Sequence, residues 1–247
     1  MKTAETLQFC YGIAKSETGR YLTGHKVVSA AEHSSTLHKK RGLLTYGEVV
    51  PDGVTKMLAS SYLDGQSASS LLDLGMGTGK ICLQAFLDCM NLKFVLGVEL
   101  AKSRFSIAEV ALLRLAELNP NRFRFSPATP ISSSEEAAQE CAVSPYVKAS
   151  IIERATGRCL EIRCGDIFEC VNDEELAEAE VAILNTCFPP SCFARLGHLL
   201  ACRLTHPNCR TILYHDIRHL WAALEEDLDY SCSADSLESW KECLRLQ

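Results

Sequence analysis

The sequence predicts an α/β fold with a doubly wound, mostly parallel sheet. Five short apolar runs alternate with stretches of helical periodicity, and the first run leads into a glycine-rich turn at residues 75–79. Strands that alternate with helices pair in parallel, and the helices then cover both faces of the sheet. The chain has 247 residues, 47% of them hydrophobic, which is enough to bury such a core without disulfides or metals.

The predicted elements follow one another from residue 54 onward. Strands are predicted where the sequence is short, apolar and bounded by turn residues: 70–74, 93–99, 159–164, 180–185 and 210–214. Helices are predicted where apolar residues recur at helical spacing: 54–62, 80–90, 103–118, 173–179 and 191–204. The third of these helices stops at Asn119 and Pro120, because proline cannot continue a helix.

Two parts of the chain fall outside this alternation. Residues 1–62 form an N-terminal segment ahead of the core at 63–247, and their first 45 residues suit no single element. Residues 119–150 are rich in Ser, Pro and Ala. We interpret 119–150 as an insertion into the core, part of which we expect to be disordered, and we expect regular structure to resume at 159.

Charge and cysteine usage exclude several classes of protein. The net charge of −6 argues against a protein that binds nucleic acid over its whole surface. The 13 cysteines are odd in number, lack CxxC spacing and follow no signal peptide, so we expect a reducing compartment rather than a disulfide framework. We expect no zinc site, and no apolar run approaches the ~20 residues that span a bilayer.

The glycine-rich turn is the strongest functional signal. Residues 73–79 read DLGMGTG and end the first strand, where doubly wound sheets bind their ligands. The GxGxG spacing differs from the GxGxxG of dinucleotide binders, and Asp73 would repel a pyrophosphate. Both features favour S-adenosylmethionine, whose sulfonium and amino groups are cationic. Glu99 ends the second strand, where its carboxylate can accept hydrogen bonds from two ribose hydroxyls. A ligand-free turn and a nicotinamide-dependent dehydrogenase remain alternatives.

Five segments, in order, resemble the catalytic domain of the disruptor-of-telomeric-silencing (DOT-one-like) methyltransferases. These enzymes lack the SET fold and modify a lysine in the globular core of histone H3. The match spans about residues 44–216, and its segments are Tyr46–Glu48 (the family's YGE), 73–79 with Leu83 and Gln84 (DLGSGVGQ…LQ), 97–99 (GVE), 165–168 (GDF) and 184–190 (NNFAFGP). The resemblance implies a seven-stranded, Rossmann-like methyltransferase core, with a small N-terminal extension that supplies a cofactor-closing loop.

The resemblance also implies the site residues. The cofactor would be held by Tyr46, Gly47, Glu48, Asp73, Gly75, Gly77, Gly79, Lys80, Glu99, Asp166, Ile167 and Asn185. Within this set, residues 46–48 would close over the methionyl part, Glu99 would bind the ribose, and Asp166 the adenine amino group. Tyr46, Asn185 and Phe188 are the implied catalytic residues, the last two bordering a channel for the substrate lysine. No dedicated side-chain base is required.

This sequence departs from the family pattern at several positions. Lys80 replaces a glutamine that contacts the methionyl end, so its charge needs a carboxylate partner or must point away. Ile167 replaces a phenylalanine that packs on adenine, so ring stacking is lost while apolar contact remains. Leu184, Thr186 and Pro189 alter the last motif.

The resemblance implies a nuclear enzyme that uses S-adenosyl-L-methionine, releases S-adenosyl-L-homocysteine and methylates histone H3 in nucleosomes. The basic run His38, Lys39, Lys40 and Arg41 would make weak, non-specific DNA contacts, or would be a solvated loop. The alternatives are a same-fold enzyme for another protein, RNA or a small molecule, an amino-methyltransferase for nucleic-acid bases, and a catalytically degenerate binding protein. The amino-methyltransferase alternative is suggested by Asn185, which is followed by Pro189 and Pro190.

Overall fold

The parallel part of the sheet forms where the sequence predicts it. The computed structural model describes residues 2–12, 24, 27–34, 47–130, 146–189 and 192–214. Within these ranges the strands are β1 (Ser70–Leu74), β2 (Phe94–Glu99), β3 (Phe123–Pro130), β4 (Val147–Glu153), β5 (Cys159–Cys164), β6 (Val181–Leu184) and β7 (Arg210–Leu213). They form one seven-stranded sheet in the order β3-β4-β5-β2-β1-β6-β7. The run from β5 to β7 is parallel, and its members are the five predicted strands, so the predicted fold class is confirmed.

Helices connect these strands and cover the sheet. They are α1 (Thr3–Cys10), α2 (Pro51–Met57), α3 (Lys80–Asp88), α4 (Lys102–Leu118), α5 (Ile167–Cys170), α6 (Asp173–Ala177) and α7 (Phe193–His198), which continues as a π-helical turn over Leu199–Arg203; residues 30–34 are also helical. The predicted helix at 54–62 is shifted, because Pro51 occupies the first turn of α2, where a missing N–H is tolerated. None of the helices in the described ranges has the length and hydropathy to cross a bilayer.

Burial along β1 shows why the sheet is covered on both faces. Leu71 belongs to an apolar cluster with residues of α1, α3 and α4, whereas Leu72 and Leu74 belong to a second cluster with α7. Successive side chains of a strand point to opposite faces, so a fully apolar strand requires a layer of helices on each side. Asp73 lies on the Leu71 face and is the polar exception among the buried residues of this strand.

The prediction for residues 119–150 is wrong in part. They supply β3 and the first half of β4, an antiparallel pair added to the edge of β5, so regular structure resumes well before 159. Phe123 of β3 is buried against Phe86 of α3, with ring centroids 6.2 Å apart. The register of β3 shifts between Ser126 and Thr129, around Pro127. Such a bulge and proline are tolerated on an edge strand, and they obscure the strand pattern in the sequence. Residues 131–145 lie outside the described ranges.

Candidate active site

A cavity opens at the carboxyl ends of the parallel strands. It is lined by the turns that follow β1, β2, β5 and β6 and by the loop before α2. The predicted site residues that line it are Gly47, Glu48, Asp73, Gly75, Gly77, Lys80, Glu99, Asp166, Ile167, Asn185 and Phe188. Tyr46 and the basic run 38–41 lie outside the described residues. Gly79 is the N-cap of α3 and does not line the cavity; a Cβ there would meet Ala108 at 3.0 Å.

The turn after β1 is shaped by backbone that only glycine adopts readily. Gly75, Gly77 and Gly79 have φ values of 110°, 59° and 77°, all in the left-handed half of conformational space. The backbone N–H of Gly75 donates to the carbonyl of Val98 on β2 at 2.9 Å. A Cβ on Gly75 would lie 2.7 Å from the Cβ of Thr186, so glycine here lets the turns after β1 and β6 touch.

Glu99 is a buried carboxylate held by the backbone at both oxygens. Its side chain receives the N–H of Gly77 on Oε2 at 2.9 Å and the N–H of Ala101 on Oε1 at 2.8 Å. Arg104 Nη1 lies 3.7 Å from Oε1. Burial raises the pKa of Glu99, and these hydrogen bonds and the guanidinium charge offset part of the rise. Each carboxylate oxygen retains a second acceptor site for a ligand hydroxyl.

Asp73 is buried in a different setting. It is 1% exposed, and burial raises its pKa to about 7, to which the nearby charge of Glu99 contributes. The thiol of Cys82 donates to Oδ2 at 3.4 Å, a weak interaction that lowers the pKa only in part. A cation brought into the cavity would favour the ionised form of Asp73.

Lys80 finds its partner within the protein. Its Nζ lies 2.7 Å from Oε2 of Glu48 and 5.4 Å from the ring centre of Tyr11. Glu48 Oε1 also accepts the backbone N–H of Gly24 at 3.2 Å. Lys80 therefore lines the cavity while paired with Glu48, which is the first of the two arrangements expected for a cation at this position.

The opposite end of the cavity carries aromatic side chains. Asp166 caps α5 by accepting the N–H of Phe168 at 3.0 Å. The guanidinium carbon of Arg195 lies 4.2 Å from the ring centre of Phe168, whose centroid is 6.2 Å from that of Phe188. Sequence reasoning missed Phe168; its signal was an aromatic residue directly after the substituted Ile167.

The loop after β6 completes the wall. Asn185 and Phe188 are half-buried and line the cavity together with Cys187 and Cys192. Cys192, the N-cap residue of α7, donates its backbone N–H to the carbonyl of Pro189 at 2.9 Å. Among the residues that the structure describes, no group of three or more His, Cys, Asp or Glu side chains is arranged to hold a metal ion.

Comparison with known proteins finds a family match for one part of the chain. Residues 27–121 match the family model described as "Histone methylation protein DOT1". No curated protein matches the chain. The match covers the loop at 47–49, the glycine turn and Glu99, whereas the segments at 165–168 and 184–190 lie beyond it. This match supports a relationship of this part of the chain to the DOT1-like family of histone methylation proteins.

Proposed function

We propose that the protein is an S-adenosylmethionine-dependent protein-lysine N-methyltransferase that acts on the globular core of histone H3 in nucleosomes. The observation that carries the proposal is the position of two buried carboxylates, Asp73 and Glu99, beside the glycine backbone of residues 75–77 in one cavity. This cavity lies where α/β sheets bind their ligands.

The charges of the cavity fit a cationic cofactor. Its lining holds the carboxyl groups of Glu48, Asp73, Glu99 and Asp166 against the cations Lys80 and Arg104. A cationic ligand would stabilise the ionised form of Asp73. A pyrophosphate would instead be repelled by the two acids beside the turn, whereas dinucleotide sites place phosphate at the first helix N-terminus.

The lining suggests where each part of the cofactor would be held. Lys80, Glu48 and Asp73 would hold the methionyl end, Glu99 the ribose hydroxyls, and Asp166 the adenine amino group. Ile167 and Phe168 offer apolar surface for the adenine ring. The cofactor, when bound, supplies a methyl group activated by the sulfonium and leaves as S-adenosylhomocysteine.

The protein's contribution to the transfer is then position and desolvation. Asn185 and Phe188, with Tyr46 outside the described residues, would border the channel for the substrate lysine. A free lysine has a pKa of about 10.4, and an apolar channel beside a cation lowers it, which yields the neutral amine that can attack. Alignment of the two reacting groups accounts for much of the rate enhancement in such a site.

Transfer of a labelled methyl group to nucleosomes, free histones and RNA in parallel tests the proposal. We expect label on histone H3 in nucleosomes. The variant Asn185→Ala should lower kcat by about tenfold to hundredfold and weaken binding of S-adenosylhomocysteine by less, since the residue borders the lysine channel as well as the cofactor. Label in RNA alone, or a loss confined to cofactor affinity, would contradict these assignments.

The proposal extends to location and to DNA. A histone substrate implies a nuclear protein, and the basic run at 38–41 would make weak contacts with nucleosomal DNA. We expect affinity for free DNA to be weak and to fall with salt, because phosphate contacts release counterions. Tight binding of DNA that ignores salt would contradict this role.

One observation favours an alternative function. The Lys80–Glu48 ion pair occupies a carboxylate that the family uses at the methionyl end, as expected of a catalytically degenerate binding protein. A thermal-shift titration with S-adenosylhomocysteine separates the two. A rise in Tm supports the enzyme, and no shift at millimolar ligand supports the degenerate protein.

A further inference from the structure

The backbone N–H and carbonyl of Gly24 are each held by a side chain that lines the cavity. Its N–H donates to Glu48 Oε1 at 3.2 Å, and its carbonyl accepts from Arg104 Nε at 3.3 Å. Gly24 is buried. The N-terminal segment is thus tied at this residue to two walls of the cavity.

Arg104 makes the second of these ties from the first turn of α4. It is 4% exposed and lines the cavity, although it flanks none of the sequence motifs of the site. Its guanidinium binds in two directions, with Nε on the Gly24 carbonyl and Nη1 3.7 Å from Glu99 Oε1. A planar guanidinium can address two acceptors at fixed angles, which a lysine ammonium cannot do. Burying an arginine is costly unless the charge is compensated, and Glu99 compensates it.

Further titratable groups surround Glu99, which makes the positive charge of Arg104 more important for keeping Glu99 ionised. Glu32 from residues 30–34 opposes its ionisation, and Asp73 on β1 and Cys164 on β5 interact electrostatically with it. Arg104 on α4 is the cation that faces it. Removing the guanidinium would leave Glu99 with two backbone donors among acidic neighbours.

We propose that Arg104 is a positioning residue that keeps Glu99 ionised and aimed at the cofactor ribose while fixing the Gly24 peptide to the same carboxylate. The inference rests on the proposed function, because it takes the ligand of Glu99 to be the ribose of S-adenosylmethionine. Ribose recognition and the placement of Gly24 are then coupled through one side chain.

The sign of the pH effect follows from the electrostatics. Burial raises the pKa of Glu99 and Arg104 lowers it, so loss of the arginine charge raises that pKa further. A protonated Glu99 accepts ribose hydroxyls less well. A variant without the charge should therefore lose ribose affinity at a higher pH than the wild-type protein does.

The test compares S-adenosylhomocysteine with its 2′-deoxyribose analogue, by calorimetry over a range of pH. The wild-type protein should prefer the ribose form by about tenfold, as expected for a hydroxyl bound by a charged acceptor. Arg104→Gln should reduce this preference to about twofold and move the pH midpoint of ribose binding upward. Arg104→Lys should keep the preference and the pH profile, because it keeps the charge.

Arg114→Gln is the matched control. Arg114 also lies on α4 and also donates to an N-terminal carbonyl, that of Cys10 at 3.1 Å, but it does not line the cavity. This variant should leave the ribose preference and the pH profile unchanged. Equal losses of both ligands in Arg104→Gln, with an unchanged preference, would overturn the proposal and leave Arg104 a purely structural role.

Amide hydrogen exchange tests whether Arg104 couples ribose recognition to the placement of Gly24. It is the deciding measurement if the Arg104→Gln variant does not fold. Arg104→Lys lacks the planar fork, so exchange at Gly24 should quicken while the ribose preference is kept. A lost preference, or exchange at Gly24 that stays as slow as in wild type, would overturn the proposal. If the wild-type protein binds neither ligand, it is the proposed function that fails.

Discussion

Asp73 and Glu99 are two buried carboxyl groups in one cavity, and the protein treats them differently. Glu99 receives two backbone N–H groups and faces a guanidinium, whereas the contact found for Asp73 is with a thiol. Burial raises both pKa values, that of Asp73 to about 7. A carboxyl group that is buried without such donors, like Asp73, can still titrate. The preorganised donors around Glu99 instead hold its carboxylate in place as a hydrogen-bond acceptor.

The largest expected effect comes from the turn that joins the two carboxylates. Gly77→Arg should weaken binding of S-adenosylhomocysteine by more than about hundredfold, because the side chain fills the cavity and Gly77 has a positive φ of 59°. Calorimetry and circular dichroism together measure binding and folding.

Gly157→Arg serves as its control, since Gly157 has a similar φ of 74° but open space around it. This variant should keep cofactor binding. Retained binding in Gly77→Arg would show that the cofactor lies elsewhere.

The next largest effect separates the two carboxylates directly. Glu99→Gln should weaken binding of S-adenosylhomocysteine by about tenfold to hundredfold, because the ribose hydroxyls lose a charged acceptor. Asp73→Asn should weaken binding by only about threefold near pH 7, since Asp73 is already partly protonated there. Equal losses of affinity in the two variants would show that Glu99 and Asp73 do not differ in their importance for binding.

A smaller effect is expected at the methionyl end. Lys80→Gln should weaken S-adenosylhomocysteine by about threefold to tenfold at low salt, because the ammonium no longer attracts the ligand carboxylate. An analogue without that carboxylate should bind both proteins alike. A variant that loses both ligands equally would show that Lys80 acts only through its ion pair with Glu48.

The smallest effect concerns stability. The ordinary pKa of an aspartate is 3.8, and that of folded Asp73 is about 7. Between these values the native state holds a proton that the unfolded state has lost, so stability falls as pH rises through this window. Asp73→Asn removes this loss and should raise Tm by several degrees at pH 8, with a gain that vanishes toward pH 4.

Asp52→Asn, at an exposed aspartate on α2, should show no such trend. A gain in Tm for Asp73→Asn that does not depend on pH would mean that Asp73 ionises normally in the folded protein.

The sequence predicts the parallel strands and the glycine turn well because local pattern determines them. Residues 70–74 are largely apolar, residues 159–164 alternate between apolar and charged side chains, and the structure has strands with these bounds. The antiparallel strands β3 and β4 escape prediction, in part because Pro127 and a bulge interrupt the pattern of the edge strand β3. Pairing of β3 with β4 and of β4 with β5 decides their conformation, as is common for strands.

The candidate site likewise contains residues that the sequence reveals and one that only the fold reveals. Asp73, Glu99 and Lys80 are visible in sequence because they flank a glycine motif. Arg104 is not, since its role depends on the fold bringing Gly24 and Glu99 to opposite sides of one guanidinium. A buried arginine on the inner face of an amphipathic helix was the available signal, and helical spacing alone does not reveal its partners.

A crystal structure with bound S-adenosylhomocysteine tests the central claim most directly. We predict that the ligand lies in the cavity beyond the carboxyl end of β1. Its ribose hydroxyls should be hydrogen-bonded to Glu99, and its methionyl end should lie beside Gly75, Asp73 and Lys80. A ligand bound elsewhere, or Glu99 with no ligand contact, would contradict it.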